Sequence, residues 1–341
     1  MKPRRTKWTG WSKWSPGASA QEVAVACGIL AMAAAISAAN PQFLALENLL
    51  DLVSNYAFTG ILAAGLLVVL VSGDIDISFI AIATVAQYLM AASIVRWGGN
   101  VAIAFAIAAA AGLALGLVNA GVITLLRIPG IVATIATLNI FHGLLIFAAS
   151  GRWIYNLPGW FREFGQWKVV PFHRGDGTTF GLSIMAVVLI LVIAATAGLL
   201  RCTMLGRSIY AMGGNAVAAR RVGFNVARIR TFVYGYMGLL AGLAGLVHAL
   251  DVQTVAPNAL VGKELGVFAA VVLGGSSLTG GVGTVRGTVL GVAFLAVLSN
   301  GLTLARVPSA WYQVAIGMVL LVSVTVGAYQ SGGPTWARAN R

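Results

Sequence analysis

The sequence predicts an all-α polytopic membrane protein with about ten transmembrane helices. Of its 341 residues, 59% are hydrophobic and only 9% are charged, whereas soluble domains average about 25% charged residues. Nine Asp and Glu residues and 22 Lys and Arg residues are too few to cover a soluble protein of this length. The apolar residues fall in runs of about 20, the length that an α-helix needs to cross a bilayer.

Ten apolar runs of this length follow one another along the chain, separated by polar or glycine-rich segments. In order they cover 23–39, 49–72, 79–95, 101–126, 129–149, 181–200, 231–250, 265–280, 286–305 and 310–329. The first run is interpreted as an uncleaved signal anchor, since nine further runs follow it. The eighth run is the least regular because glycines interrupt it, so we expect there either a full span or a helix that is short or re-entrant.

Basic residues predict that both chain termini lie in the cytoplasm (N-in, C-in). With the N-terminus inside, 15 of the 22 Lys and Arg residues fall on the cytoplasmic side and seven on the outside. The predicted organisation is a basic, Trp-containing tail at 1–22, one transmembrane domain at 23–330 and a second cytoplasmic tail at 331–341. Within this domain, an outer loop is expected at about 150–180 and a cytoplasmic loop at about 201–230.

Residues that could perform covalent chemistry are scarce. The two cysteines, Cys27 and Cys202, and three scattered histidines predict neither a disulfide framework nor a metal site. The Gly262-Lys263 pair is followed by Glu264, so no phosphate-binding P-loop is present. The net charge of +13 fits basic cytoplasmic loops better than a nucleic-acid-binding surface. We therefore predict no enzyme activity, no cofactor bound to this chain and no nucleic-acid partner.

The cytoplasmic loop carries the local signals of a short isolated helix. Gly213 and Gly214 permit a sharp chain reversal, and Asn215 is a favourable N-cap. Residues 216–222 would then form about two turns, which Gly223 would end. Two interpretations stay open: a helix that docks into a groove on another subunit, or an ordinary basic loop that follows the positive-inside rule.

Several motifs resemble those of the permeases of bacterial ABC importers for ribose-type sugars. Residues 206–223, which begin GRSIYAMGGN, resemble the coupling loop of that family. The family's most recognisable segment is similar to residues 264–285, and its Gly-Gly-Ile-Asp-Leu-Ser motif is similar to SGDIDIS at 72–78. Asp74 stands where the family usually has Gly, which indicates a divergent subgroup. The resemblance covers about residues 50–330.

This resemblance implies the membrane-spanning subunit of an importer in the bacterial inner membrane, for a monosaccharide or a sugar-like solute. It implies three kinds of partner: a second permease subunit (identical or related), ATPase subunits that hold ATP and Mg²⁺, and a periplasmic solute-binding protein. The residues that it assigns to ATPase coupling are Gly206, Arg207, Gly213, Gly214, Asn215, Ala219, Arg220 and Gly223.

Polar residues near or within the spans are candidates for the transport pathway, since a polyhydroxylated solute needs hydrogen-bonding side chains but no strong fixed charge. These pore or gate candidates are Asp76, Asn119, Asn139, His142 and Asn300. For the amides, hydrogen bonding between helices is the competing explanation. For Asp76, the competing explanation is that its carboxylate caps the N-terminus of the third span, where the helix dipole favours an anion. Both explanations stay open.

Glycine, at 42 residues, is unusually frequent and often recurs at a spacing of four, which lets helices approach closely. The spaced sets are Gly112/Gly116, Gly238/Gly242 and Gly283/Gly287/Gly291. A separate structural glycine motif consists of Gly274, Gly275, Gly280 and Gly281.

The alternative hypothesis is an ion- or proton-coupled secondary transporter of a small polar solute. Such transporters place coupling groups near the membrane midplane. The predicted spans are nearly free of ionisable residues, and His142 is the main exception.

Overall fold

The computed structural model describes residues 19–173 and 179–330, and most of these residues are helical. The helices are α1 Ala20–Ala39, α2 Leu46–Asn55, α3 Ala57–Val71, α4 Phe79–Trp97, α5 Val101–Leu126, α6 Gly130–Ala149, α7 Gly159–Gln166, α8 Ile184–Cys202, α9 Met204–Gly214, α10 Ala216–Arg221, α11 Val226–Val252, α12 Glu264–Leu273, α13 Val285–Leu304 and α14 Ala310–Gln330. Nearly all of the predicted tails, at 1–18 and 331–341, lies outside the described residues, as does part of the predicted outer loop.

Seven helices in the described ranges are long and apolar enough to cross a membrane. The count becomes eight if α2 and α3, which meet at an angle of 49°, form one bent span. Two shorter apolar helices, at 264–273 and 310–325, follow in the last third of the chain. A polytopic helical membrane protein is therefore confirmed, whereas the predicted number of ten spans is not.

Two predicted spans differ from the observed helices. The run 49–72 is not one straight helix, because the chain bends at Tyr56, whose φ of −97° and ψ of 6° interrupt the helix. The run 265–280 ends early, at Leu273, because Gly275 adopts a φ of +90° that cannot continue a right-handed helix. The short alternative expected for that segment is the one observed.

The core is built around α3 and α11. Every residue of α3 except Thr59 is buried, as expected for a helix that is apolar on all sides. The spaced glycines join α5 to α11: a Cβ on Gly112 or Gly116 would overlap a backbone carbonyl oxygen of α11. Gly287 and Gly291 of α13 approach the backbone of α12 in the same way. The predicted close packing at these glycines is confirmed.

The segment predicted as the outer loop contains a small two-stranded sheet, which corrects the all-α prediction. Strands β1 (Lys168–His173) and β2 (Thr179–Ser183) pair antiparallel, and Phe172 stacks on Phe180 with ring centroids 5.6 Å apart. Because β2 takes up the start of the predicted run 181–200, helix α8 begins only at Ile184.

Candidate coupling and gating site

The short helix that the sequence predicts within the loop at about 201–230 is present as α10. The side-chain oxygen of Asn215 accepts a hydrogen bond from the backbone N–H of Ala218 at 2.9 Å, which is the predicted N-cap. Gly223 follows the helix with a φ of +96°, a conformation that glycine adopts without strain. Val217 and Val222 are 63% and 74% exposed. Within the described residues, α10 therefore presents an uncovered apolar surface.

The predicted chain reversal at Gly213 and Gly214 is wrong, because both residues belong to the last turn of α9. The chain changes direction one residue later, at Asn215, which is extended with φ of −163° and ψ of 101°. Gly213 is needed for a different reason: a Cβ there would overlap the carbonyl oxygen of Val71 at the end of α3. Gly214 has open space at the equivalent position. The two adjacent glycines therefore have different structural roles.

Four glycines from three separate segments meet at this point. Gly73 follows α3, Gly213 ends α9, and Gly280 and Gly281 lie in the loop between α12 and α13. A Cβ on Gly280 would lie 2.5 Å from the Cα of Gly73 and 2.8 Å from the carbonyl oxygen of Gly213. The N–H of Gly281 donates to the carbonyl of Val71 at 2.9 Å. This contact, the glycine junction, joins the three segments backbone to backbone.

The other two glycines of the predicted structural motif lie at the end of α12. A Cβ on Gly274 would overlap the carbonyl of Gly287 in α13, and Gly275 turns the chain with its positive φ. The motif therefore divides into two contacts. Gly274 and Gly275 fix the loop to its own helix pair, whereas Gly280 and Gly281 fix it to α3 and α9.

Polar side chains hold the loop after α12 from two sides. On one side, the Tyr210 hydroxyl of α9 donates to the carbonyl of Gly283 at 2.7 Å. On the other, the hydroxyl of Thr284 donates to the buried carboxylate of Glu22 at 2.5 Å, and Gln21 donates to carbonyl oxygens at the end of α12 at 3.1 and 3.3 Å. The loop is thus fixed both to α9 and to the first turn of α1.

Gln21 and Glu22 were missed by the sequence reasoning because they fell at the predicted boundary between the tail and the first span. The structure starts α1 at Ala20 and caps it with Ser19, whose side chain accepts from the backbone N–H of Glu22 at 3.1 Å. The Ser-x-x-Glu pattern of a capping box was the signal that could have located this helix start.

The remaining coupling candidates occupy different environments. Gly206 packs its Cα against the carbonyls that end α8, where a Cβ would overlap them. Arg207 and Arg220 are exposed. Ala219 is only 3% exposed and faces the protein interior. Of these, the two arginines are accessible to a partner, whereas Gly206 and Ala219 support the local fold.

One buried polar cluster contains Asp76, in the segment between α3 and α4, and Asn119 of α5. The carboxylate of Asp76 is completely buried and accepts hydrogen bonds from both the backbone N–H and the hydroxyl of Ser78, each at 2.7 Å. The side-chain amide of Asn119 donates to the same hydroxyl at 2.6 Å. Asp76 therefore accepts from the backbone N–H of Ser78, the residue that precedes α4, whereas no side chain caps the first turn of α4 itself.

A salt bridge ties the segment before α4 to α11. Arg230 Nε lies 2.8 Å from Asp74 Oδ2, and both side chains are largely buried. Arg230 is one of the basic residues that the sequence predicts on the cytoplasmic side. Nothing local indicated its partner, which is 156 residues away along the chain.

The other pore candidates are not brought to this cluster. Asn300 exchanges two hydrogen bonds with Asn48, at 2.9 and 3.2 Å, and so joins α13 to α2. Asn139 is exposed and bonds its own helix at the carbonyl of Ile135. His142 follows on α6, half-buried. Among the residues that the structure describes, no group of three or more His, Cys, Asp or Glu side chains is placed to hold a metal ion.

The family and the relatives that match this chain are all described as permeases of transport systems. The profile of the family described as "Branched-chain amino acid transport system / permease component" matches residues 48–324. The chain is 33% identical to the ribose import permease protein RbsC of Escherichia coli (strain K12) over 305 residues, which cover 87% of this chain and 91% of that protein.

Two further relatives are similar over comparable lengths. The ribose import permease protein RbsC of Bacillus subtilis (strain 168) is 34% identical over 306 residues, 89% of this chain and 92% of the relative. The autoinducer 2 import system permease protein LsrC of Photorhabdus luminescens is 31% identical over 301 residues, 88% of each chain. No solved structure matches this chain significantly.

Proposed function

This chain belongs to the family of branched-chain amino acid transport system permease components, and from that premise we propose that it is the transmembrane subunit of an ATP-driven importer for a sugar or sugar-like solute. The resemblance that the motifs predicted is confirmed at the level of the family. Relatives at 31–34% identity are named for the import of ribose and of autoinducer 2. Their names support a small polyhydroxylated solute here.

The glycine junction is the observation that carries the proposed mechanism. It joins α9, and through Asn215 the exposed helix α10, to the end of α3 and to the loop after α12. Since the contact is made by backbone atoms without intervening side chains, a displacement of α9 cannot be absorbed by rotamer changes. Packed contacts of this kind transmit small movements as rigid bodies. Closure of an ATPase pair against α10 would therefore move the ends of α3 and α12 together.

The segment that receives this movement leads directly into the polar cluster. Gly73 is followed by Asp74, which pairs with Arg230, and by Asp76, which bonds Ser78 at the start of α4. We assign this segment to the cytoplasmic gate. Asn119, through Ser78, belongs to the same gate, whereas Asn300 serves to join helices.

We propose that both termini lie in the cytoplasm and that ten segments of the chain cross the membrane. These are the seven long helices, the bent pair α2–α3, α12 and α14. Helix α12 has ten residues, about 15 Å, which is half of a hydrocarbon core of about 30 Å. The stretch before it contains the bridge residue Val255, which pairs with Ile154 of the predicted outer loop, and then turns at 257–262. The loop after it reaches the glycine junction. Residues 253–284 would thus cross as a short helix with irregular flanks.

The partners follow from this arrangement. ATP and Mg²⁺ would be bound by separate ATPase subunits on the α10 side, a second permease subunit would complete the pathway in the bacterial inner membrane, and a periplasmic binding protein would deliver the solute. This chain itself would carry no catalytic site. Val217 and Val222, with Arg220 beside them, would form the surface that contacts the ATPase.

Purification from native membranes in mild detergent, followed by mass spectrometry, tests the proposal. We expect a P-loop ATPase in stoichiometric amount, and uptake of a radiolabelled pentose or hexose into proteoliposomes that contain ATP, the ATPase and the binding protein. A secondary transporter would instead move solute in proteoliposomes that contain this chain alone and respond to an imposed proton or Na⁺ gradient. That result would contradict the proposal.

A further inference from the structure

A groove of about 540 Å³ opens on the protein surface between α5 and α11, and none of its lining residues belongs to the coupling and gating site. One end of it is formed by the first turn of α11, with Asn225 and Arg228. The other end is formed by Leu113 and Leu117 of α5 together with Leu239 of α11. The groove therefore has a charged end and an apolar end along a single helix.

The apolar part has the dimensions of a hydrocarbon chain. Arg228 and Leu239 are eleven residues apart on a continuous helix, which at about 1.5 Å per residue corresponds to roughly 17 Å. Gly235 lies between them and carries no side chain that would fill the groove; a Cβ there would already lie 3.2 Å from the Leu117 side chain. Leu113 and Leu117 remain partly exposed along this stretch.

The charged end lacks a counterion within the protein. Arg228 is exposed, and among the described residues no carboxylate lies within salt-bridge distance of its guanidinium. Arg230, two residues further on, is by contrast paired with Asp74 at 2.8 Å. The stretch 201–230 contains six arginines and no Asp or Glu, so Arg228 has no acidic neighbour along this part of the chain.

A second copy of the chain could not neutralise this arginine. Two copies in the same membrane orientation would offer Arg228 only the carboxylates at the same end of the molecule. In the described residues these are Glu22, which is buried and bonded to Thr284, Asp74, which is paired, and Asp76, which is buried. The exposed carboxylate of Asp251 lies at the opposite end of α11.

We propose that this groove binds one anionic phospholipid, with the headgroup phosphate on Arg228 and one acyl chain along Leu113, Leu117 and Leu239. The ends of a spanning helix lie at the headgroup level, where basic pockets between helices bind anionic lipids. Lipid binding at this groove requires only that α11 crosses the membrane, so the site could lie in either leaflet.

Native mass spectrometry of the full-length protein, delipidated in detergent and titrated with phosphatidylglycerol or phosphatidylcholine, tests this site. We expect the wild-type chain to bind phosphatidylglycerol about fivefold more tightly, as expected for one basic residue near an anionic headgroup. Arg228→Gln should remove this preference and leave the binding of phosphatidylcholine unchanged.

Two further variants serve as controls. Gly235→Leu should weaken the binding of both lipids, because the new side chain fills the groove. Arg286→Gln, which removes an exposed arginine next to the loop after α12, should bind both lipids as the wild type does.

Three results would overturn the proposal. The first is equal affinity of the wild type for the two lipids, and the second is an unchanged preference in Arg228→Gln with an unchanged melting temperature. The third is a cross-link between two copies through Thr231→Cys, at the groove wall, in a background with Cys27 and Cys202 replaced by Ser. That cross-link would mean that a second chain covers the groove. Neither measurement depends on uptake, so failure here is distinguishable from failure of the proposed import function.

Discussion

Gly213 and Val71 are in direct backbone contact, although they are far apart in the chain and belong to different helices. A Cβ on Gly213 would overlap the Val71 carbonyl oxygen, and the same oxygen accepts the N–H of Gly281 at 2.9 Å. A backbone contact of this kind is stiffer than one between side chains, because it has no rotamer freedom. It is therefore suited to transmit the movement of a docked partner to the end of α3.

A side chain at Gly213 should break this contact. We expect Gly213→Ala to force α9 away from α3 at an overpacking cost of about 1–3 kcal/mol and to abolish most ATP-dependent uptake while the protein still inserts into the membrane. The measurement is uptake in proteoliposomes, normalised to the amount of inserted protein. Gly121→Ala on α5, where a Cβ has open space, is the matched control. Normal uptake by Gly213→Ala would contradict the role assigned to the glycine junction.

A charge on the exposed surface of α10 should prevent docking of the ATPase. We expect Val217→Asp to lose the co-purifying ATPase without a change in melting temperature, because the side chain is exposed in the permease itself. Val261→Asp, at a similarly exposed valine in the segment before α12, is the control and should retain the ATPase. If both variants co-purified the ATPase equally, α10 would not be the docking element.

The Asp74–Arg230 pair should be cooperative. Either Asp74→Asn or Arg230→Gln leaves a largely buried partner without its charge-assisted hydrogen bond, at an expected cost of about 1–3 kcal/mol. The double variant should be less destabilised than the sum of the two, which thermal unfolding in detergent can measure. Arg228→Gln, which has no such partner, should leave the melting temperature unchanged. Additive effects of the two single variants would mean that the pair contributes no coupling energy.

Asp76 provides a test between a structural and an electrostatic role. Asn retains the oxygen that accepts from Ser78, so Asp76→Asn should keep most of the uptake activity. Asp76→Ala instead leaves the backbone N–H and the hydroxyl of Ser78 without this acceptor, at a cost of about 1–3 kcal/mol. The measurements are uptake and melting temperature for both variants. Loss of uptake in Asp76→Asn at an unchanged melting temperature would show that the negative charge itself is needed.

Much of the fold and part of the site follow from local sequence pattern. The apolar runs located the membrane helices, and the signals around Asn215 and Gly223 located α10 to within a residue, because capping depends on neighbours three residues away. The spaced glycines predicted close packing correctly, although nothing in the sequence indicated that Gly112 packs against Gly238. The bend at Tyr56 was missed, and the early end of α12 was expected only as one of two alternatives, since hydropathy alone does not distinguish a bent or half-length helix from a full span.

The sequence by itself determined that this chain is a polytopic membrane protein, because composition and run length are properties of contiguous residues. The resemblance of its local motifs to a known family indicated a permease. Only the tertiary structure decided that Gly73, Gly213 and Gly280 form one contact, that Arg230 pairs with Asp74 and that Asn300 pairs with Asn48. These relationships join residues that are between 67 and 252 positions apart. Such partners are brought together by the shape and charge of the packed helices, and the local periodicity of the sequence does not indicate them.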